Sequence, residues 1–257
     1  MRHFAGEAFE TLTDVDSTAW RTLRTLLFRP GKLTAEYMRG VRVPYMKPLQ
    51  FFLIVNVIYF VWVGWAGERV FSTTLANHVN QEVYGPRARE MVRARVSEPG
   101  MDTDAISAAA NRYAERFDGA AAVQAKTLII TMVPMFAGLL ALVQIARRRQ
   151  FVQHLVFALH AYTALLVFSI MQRYVLQWPP KLAGRLLGFE VTNAFLNNLV
   201  SYAMTLGIGL YLVLGIRRAY EERWRTAIPK GLLLGVSMLF ILIAYRVVLF
   251  FTVFWMT

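Results

Sequence analysis

RVPYMKPLQFFLIVNVIYFVWVGWA, residues 42–66, decides the fold. Its last eighteen residues, Leu49–Ala66, carry no charged side chain. At 1.5 Å per residue such a run makes a helix of ~27 Å, close to the ~30 Å hydrocarbon core of a bilayer. In lipid the backbone must satisfy its own hydrogen bonds, and a helix does so within one segment. Four more runs repeat the pattern: Thr127–Ala146, Phe151–Leu176, Asn193–Ile216 and Gly231–Trp255. Hydrophobic residues make up 56% of the 257, more than a soluble domain needs, and they are gathered into these runs. The expectation is an all-α polytopic helical membrane protein with five transmembrane helices, at 48–66, 127–146, 151–176, 193–216 and 231–255. A basic amphipathic segment, 1–47, precedes them, and a small helical outer loop, 67–126, separates the first two.

Charge placement orients the spans. Between positions 21 and 47, Arg21, Arg24, Arg29, Lys32, Arg39, Arg42 and Lys47 are set against one carboxylate, Glu36. Cations beside a span hold that side in the cytoplasm, and each attracts anionic headgroups by about 1 kcal/mol. Arg147–Arg149 lie between spans two and three, and Arg217, Arg218, Arg223, Arg225 and Lys230 between spans four and five. The loop 67–126 instead balances eight cations with eight carboxylates. This pattern puts the N-terminus in the cytoplasm and the loop and C-terminus in the periplasm. The net charge of +12 therefore flanks spans, and it forms no basic domain of the kind that binds nucleic acid.

The opening stretch MRHFAGEAFETLTDVDSTAW is acidic and lacks the apolar core of a signal peptide, so the first span is the expected insertion signal. A helix from Thr18, capped by Asp16 or Ser17, sets Trp20, Leu23 and Leu27 on one face between Arg21 and Arg24. That arrangement suits a helix at headgroup level. Pro30-Gly31 ends it, and a second helix over Thr34–Met38 closes at Gly40. Pro44 and Pro48 keep the chain extended up to the span, with Tyr37 and Tyr45 as interfacial anchors. In the loop, Phe71, Leu75, Val79 and Val83 form one apolar stripe, and Ile106, Ala110, Tyr113 and Phe117 a second. Gly85-Pro86 and Pro99-Gly100 split these stripes, which predicts a small helical hairpin.

Few polar side chains enter the spans. Arg246 lies nine residues before Trp255, where a charge costs ~2.5–3.5 kcal/mol on insertion scales. No span contains Asp or Glu, so no ion pair within the chain is expected for Arg246. It reads as an anion or proton site, a lipid-phosphate contact, or a donor to carbonyls. Arg173 lies near a span end and reads as snorkelling. His154 and His160 are six residues apart, which turns their rings ~120° from each other on a helix. They cannot clamp one metal from a single helix, and no other span holds a histidine. Packing hydrogen bonds are the expectation, with a headgroup contact for His154 beside the Arg147–Arg149 turn. The absence of cysteine excludes disulfides and thiolate metal sites. No metal, cofactor or catalytic residue is assigned. Tyr59, Trp62, Trp65, Tyr174, Trp178 and Trp255 near one set of span ends, and Tyr220 and Trp224 near the other, read as aromatic belts. Gly231-xxx-Gly235 and Gly207-x-Gly209 permit close helix approach, including that of a homodimer.

Three stretches, TLRTLLFRPGKLTAEYMRGVRVPYMKPLQFFL (22–53), HLVFALHAYTALL (154–166) and VLGIRRAYEERWRTAIPK (213–230), resemble a family of bacterial multi-pass inner-membrane proteins of unknown function. The first is the most specific: a Pro-Gly-Lys turn, then Tyr37, Gly40, Arg42, Tyr45 and Pro48 before a span. The resemblance implies a bacterial inner-membrane location and names no substrate or reaction. Many members of that family begin with a cysteine-bearing zinc ribbon, from which this cysteine-free chain departs.

The leading expectation is a non-enzymatic membrane component. Arg29, Lys32, Arg39, Arg42 and Lys47, with Tyr37 and Tyr45, would bind anionic lipid or a partner, either a second copy or another membrane protein. Two alternatives stay open. One is a small-solute or proton-coupled transporter using Arg246, although the span number is odd and the spans lack carboxylates. The other is a lipid-modifying enzyme with His154, His160 or His78 as base.

Overall fold

The structure, a computed structural model, describes residues 17–66, 73–80, 82–97, 100–147, 149–188 and 190–257. Among these, every regular element is a helix. Residues 17–28 form α1, followed by α2 (Lys32–Met38), α3 (Pro48–Ala66), α4 (Leu75–Asn80), α5 (Gly85–Val96) and α6 (Thr103–Leu128). Then come α7 (Met132–Val143), α8 (Phe151–Gln172), α9 (Trp178–Leu187), α10 (Asn193–Ala219) and α11 (Trp224–Met256). Five helices are long and apolar enough to cross a membrane: Pro48–Ala66, Thr103–Val143, Phe151–Leu187, Asn193–Ala219 and Trp224–Met256. The protein is an all-α, multi-pass membrane protein in its architecture.

Two of these helices run through irregular turns, and proline accounts for both. Pro134 has no N–H for the carbonyl of Ile130 and its ring crowds that oxygen, so Ile129–Thr131 tightens into a 3₁₀ turn. Pro179 and Pro180 do the same to Val175 and Leu176, and Arg173–Gln177 widens into a π turn before α9.

The chain forms two compact units. The first holds residues 17–62 and 133–238. Its centre is α8, since 67% of that span's apolar window is buried against 28–33% for the other four. Helix α2 packs against α8 and α10 and buries Leu33, Thr34 and Ala35. Gly31 makes this contact possible. Its φ of 77° is left-handed, and a Cβ there would strike the backbone of Gly215 on α10. The Gly231–Gly235 face is occupied within the chain, because a Cβ on Gly231 would run into Val213 and Gly235 lies beside Gly209. This spacing therefore serves the α10–α11 contact, which removes it as a reason for a homodimer.

Helix α1 turns a different face inward from the one its pattern suggests. Thr22 and Leu26 are buried, Leu23 and Leu27 are half-buried, and Trp20 and Phe28 are exposed. The Thr22 hydroxyl donates to the Thr18 carbonyl (2.7 Å) and accepts from the Met46 N–H (3.0 Å), which ties α1 to the segment before α3. That polar bond outweighs the apolar stripe.

The second unit holds residues 63–132 and 239–257, of which 67–72, Gln81, Glu98 and Pro99 lie outside the described residues. Three helices, α4, α5 and the start of α6, replace the expected hairpin. Gly85-Pro86 opens α5, where a proline loses no helical hydrogen bond. Asp102 caps α6 by accepting the Ala105 N–H at 2.7 Å. The inward stripe is Leu75 and His78 with Tyr113 and Phe117, while Val83 in the α4–α5 turn is exposed. Phe71 lies outside the described residues.

Candidate functional site

Within the first unit, α1, α2, the Gln144–Arg147 turn, the start of α8 and the α10–α11 turn meet at one end. Arg218 Nη1 donates to the Pro30 carbonyl (2.9 Å), and Arg39 Nη2 donates to Glu221 Oε1 (3.1 Å). The Thr34 hydroxyl and His160 Nδ1 are hydrogen-bonded at 2.9 Å, both buried. His154 Nδ1 and the Tyr220 hydroxyl lie 2.8 Å apart, and their rings stack at 5.6 Å and 14°. Both span histidines thus hold packing hydrogen bonds. His154 and Tyr220 are 2% and 1% exposed, which corrects the expected headgroup contact of the one and the belt position of the other. Burial pushes the Tyr220 phenol up, so it stays protonated. Tyr59 is likewise fully buried, whereas Trp65, Trp178 and Trp255 are exposed as a belt requires.

A buried carboxylate that the sequence analysis did not single out anchors this end. After α10, Glu221 adopts φ 53° and the Glu222 N–H returns to the Arg217 carbonyl (3.0 Å), a reversal usually built on glycine. The reversal drives Glu222 inward until none of its side chain is exposed. Lys230 Nζ lies 2.6 Å from Glu222 Oε1 and donates also to Gln144 Oε1 at 2.9 Å, and Arg147 Nε approaches Glu222 to 3.7 Å. Burial pushes the Glu222 carboxyl up, but hydrogen bonding from Lys230, Thr226 and Gln144 together with the charge of Lys230 holds the group below the usual carboxylate range. The signal was available: Glu221 and Glu222 are the only carboxylates among the cations of 217–230. Helix α11 begins at Trp224, ahead of the expected span start at 231, and brings Lys230 onto Glu222.

The predicted collar is mostly open. Arg29, Arg39, Arg42 and Lys47 are exposed and Lys32 is half-buried. Among the described residues only Arg39 of these five has an ion-pair partner, the exposed Glu221. The Arg42 guanidinium stacks over the Tyr37 ring at 4.5 Å. Tyr37, Arg42, Tyr45 and Lys47 then line a cavity of about 50 Å³ to which His160 also contributes. The exposed face of α1 adds Trp20 and Phe28 between Arg21, Arg24 and Arg29.

Arg246 belongs to the second unit, and there the structure corrects the sequence reading. Its Nη1 lies 2.5 Å from Glu82 Oε1, so a loop carboxylate supplies the partner that the spans lack. His78 is fully buried beside this pair against Phe117 and Phe250, with Nδ1 2.5 Å from the Tyr84 hydroxyl. Burial, and secondarily the charge of Arg246, lowers the His78 pKa to about 4. Arg173 opens the π turn and is half-buried. Among the described residues no group of three histidine, aspartate or glutamate side chains could hold a metal.

Residues 16–60 match the family described as Protein of unknown function (DUF3667). The match covers α1, α2, the collar and most of α3, the same stretch that carries the most specific resemblance in the sequence. No curated protein and no solved structure matches the chain.

Proposed function

We propose that this chain is a non-enzymatic component of a bacterial inner membrane whose N-terminal collar binds anionic lipid headgroups. The observation that carries the reading is that Arg29, Arg42 and Lys47 are exposed and without an ion pair among the described residues, at the entry to the first span. Trp20 and Phe28, exposed beside Arg21, Arg24 and Arg29, supply the apolar half of an interfacial face. Cations there would hold the N-terminus in the cytoplasm, with the C-terminus in the periplasm. Each exposed cation there would attract anionic headgroups by about 1 kcal/mol.

The test is native mass spectrometry of the protein released from mild detergent. The intact protein is expected to carry anionic phospholipid, and Arg29→Gln with Arg42→Gln is expected to lose most of it. Protein that emerges without lipid adducts, or a double variant that keeps them, would overturn the reading.

A further inference from the structure

The cavity at the foot of the collar has a chemistry of its own. Two of its lining side chains, Arg42 and Lys47, are cationic, two more, Tyr37 and Tyr45, carry hydroxyls, and no carboxylate lines it. His160 completes it from α8. Its Nδ1 is hydrogen-bonded to the Thr34 hydroxyl, and in the tautomer in which that hydroxyl donates, Nε2 carries the ring proton. In that tautomer each polar side chain of the lining offers a hydrogen-bond donor. Such a site suits an anion and repels a metal cation or an ammonium headgroup. Its size narrows the choice, since about 50 Å³ holds roughly four water-sized spheres. That is the scale of one phosphoryl group. A terminal phosphoryl presents three free oxygens to these donors, whereas a phosphodiester presents two and must thread a substituent past them.

We infer that this cavity is a specific site for a terminal phosphoryl group, that of a phosphatidic-acid headgroup or of free phosphate, held by Arg42, Lys47, Tyr45 and His160. The inference rests on the headgroup-binding collar and adds selectivity to it. Arg42, stacked over Tyr37, lies at the lining of the cavity, and His160 is held in place beneath it by its hydrogen bond to Thr34.

Delipidated protein is titrated with short-chain phosphatidic acid, with short-chain phosphatidylglycerol, and with phosphatidic acid in the presence of inorganic phosphate. Phosphatidic acid is expected to bind about tenfold or more tightly than phosphatidylglycerol, the range of one charge-assisted hydrogen bond. Tyr45→Phe and His160→Gln are expected to bring phosphatidic acid down to the phosphatidylglycerol level and to leave phosphatidylglycerol binding unchanged. Tyr45→Phe changes no charge and removes only a hydroxyl from a half-buried side chain, so it separates a built site from general attraction and from misfolding. Competition by millimolar phosphate would identify the phosphoryl alone as ligand, and its absence would identify the lipid; both outcomes support the site. Equal affinity for the two lipids, or a preference that survives both substitutions, would overturn the site and leave the collar standing. Loss of all anionic-lipid binding by the unaltered protein would overturn both.

Discussion

At the scale of single residues, Glu221 exposes its carboxylate beside Arg39, whereas its neighbour Glu222 is wholly buried on Lys230. An exposed pair between two mobile side chains is worth about 0–1 kcal/mol, whereas breaking a buried pair leaves an unmatched charge at a cost of about 3–5 kcal/mol. Lys230 keeps partial solvent access, so the lower end of that range applies. Glu222→Gln should therefore destabilise the protein by on the order of 3 kcal/mol in denaturant titrations in detergent, and Glu221→Gln by less than about 1. The sign with pH follows from the lowered Glu222 carboxyl. Its contribution is complete above the unfolded value near 4.5 and is lost as pH falls through the folded value. Gly31 and Gly40 make a second contrast, since both are left-handed, with φ 77° and 85°. A Cβ at Gly31 meets the Gly215 backbone, and at Gly40 it meets nothing within 4 Å. Gly40→Ala should cost only the ~1–2 kcal/mol of a left-handed alanine. Gly31→Ala should cost more and loosen α2, which increased hydrogen exchange over Lys32–Met38 would report.

At the scale of elements, the Arg246–Glu82 pair fixes α11 to the segment before α5. Removing either partner strands a largely buried charge, at about 3 kcal/mol, and removing both should cost less than the two single changes together. Additive losses in a double-mutant cycle would deny the coupling. His78 gives the second unit an acid sensitivity. Its folded pKa of about 4 lies below the unfolded 6.5, so between these values the unfolded chain takes a proton that the folded chain refuses. Stability of α4 and α5 should fall as pH drops from 6.5 toward 4, seen as a loss of hydrogen-exchange protection, relative to the intrinsic rate at each pH, that His78→Phe abolishes. These elements also show what could be read in advance. Five apolar runs, two of them with a single arginine, dictate five helices because in lipid a helix satisfies its backbone within one segment. Helices α4 and α5 were less legible: Gly85-Pro86 serves as a helix start as well as a break, and His78 is buried through ring contacts that no apolar stripe encodes. Arg246 looked unpaired for a related reason, since its carboxylate lies 164 positions away in sequence and outside any span. Of the candidate site, the collar cations were plain as a charge run, whereas Glu222 and the placement of His160 on their cavity depend on how α2, α8 and α10 pack.

At the scale of the whole molecule, cations line the loops of one parity and are balanced by carboxylates in the long loop of the other. Helix α8 is enclosed, while the remaining spans expose Val57, Leu206, Phe240 and similar side chains as a lipid-facing surface requires. On this account the exposed cations and aromatics of the N-terminal segment lie at the headgroups. The cysteine-free chain allows a direct measurement of that depth. Single cysteines at Trp20 and Val43, both exposed and both neutral, would carry nitroxide labels in vesicles with and without anionic phospholipid. The account predicts headgroup-level immersion in anionic vesicles, with retreat toward water in phosphatidylcholine alone and in about 1 M salt, where screening acts within ~3 Å. Labels that sit at the same depth in both lipids and ignore salt would contradict it.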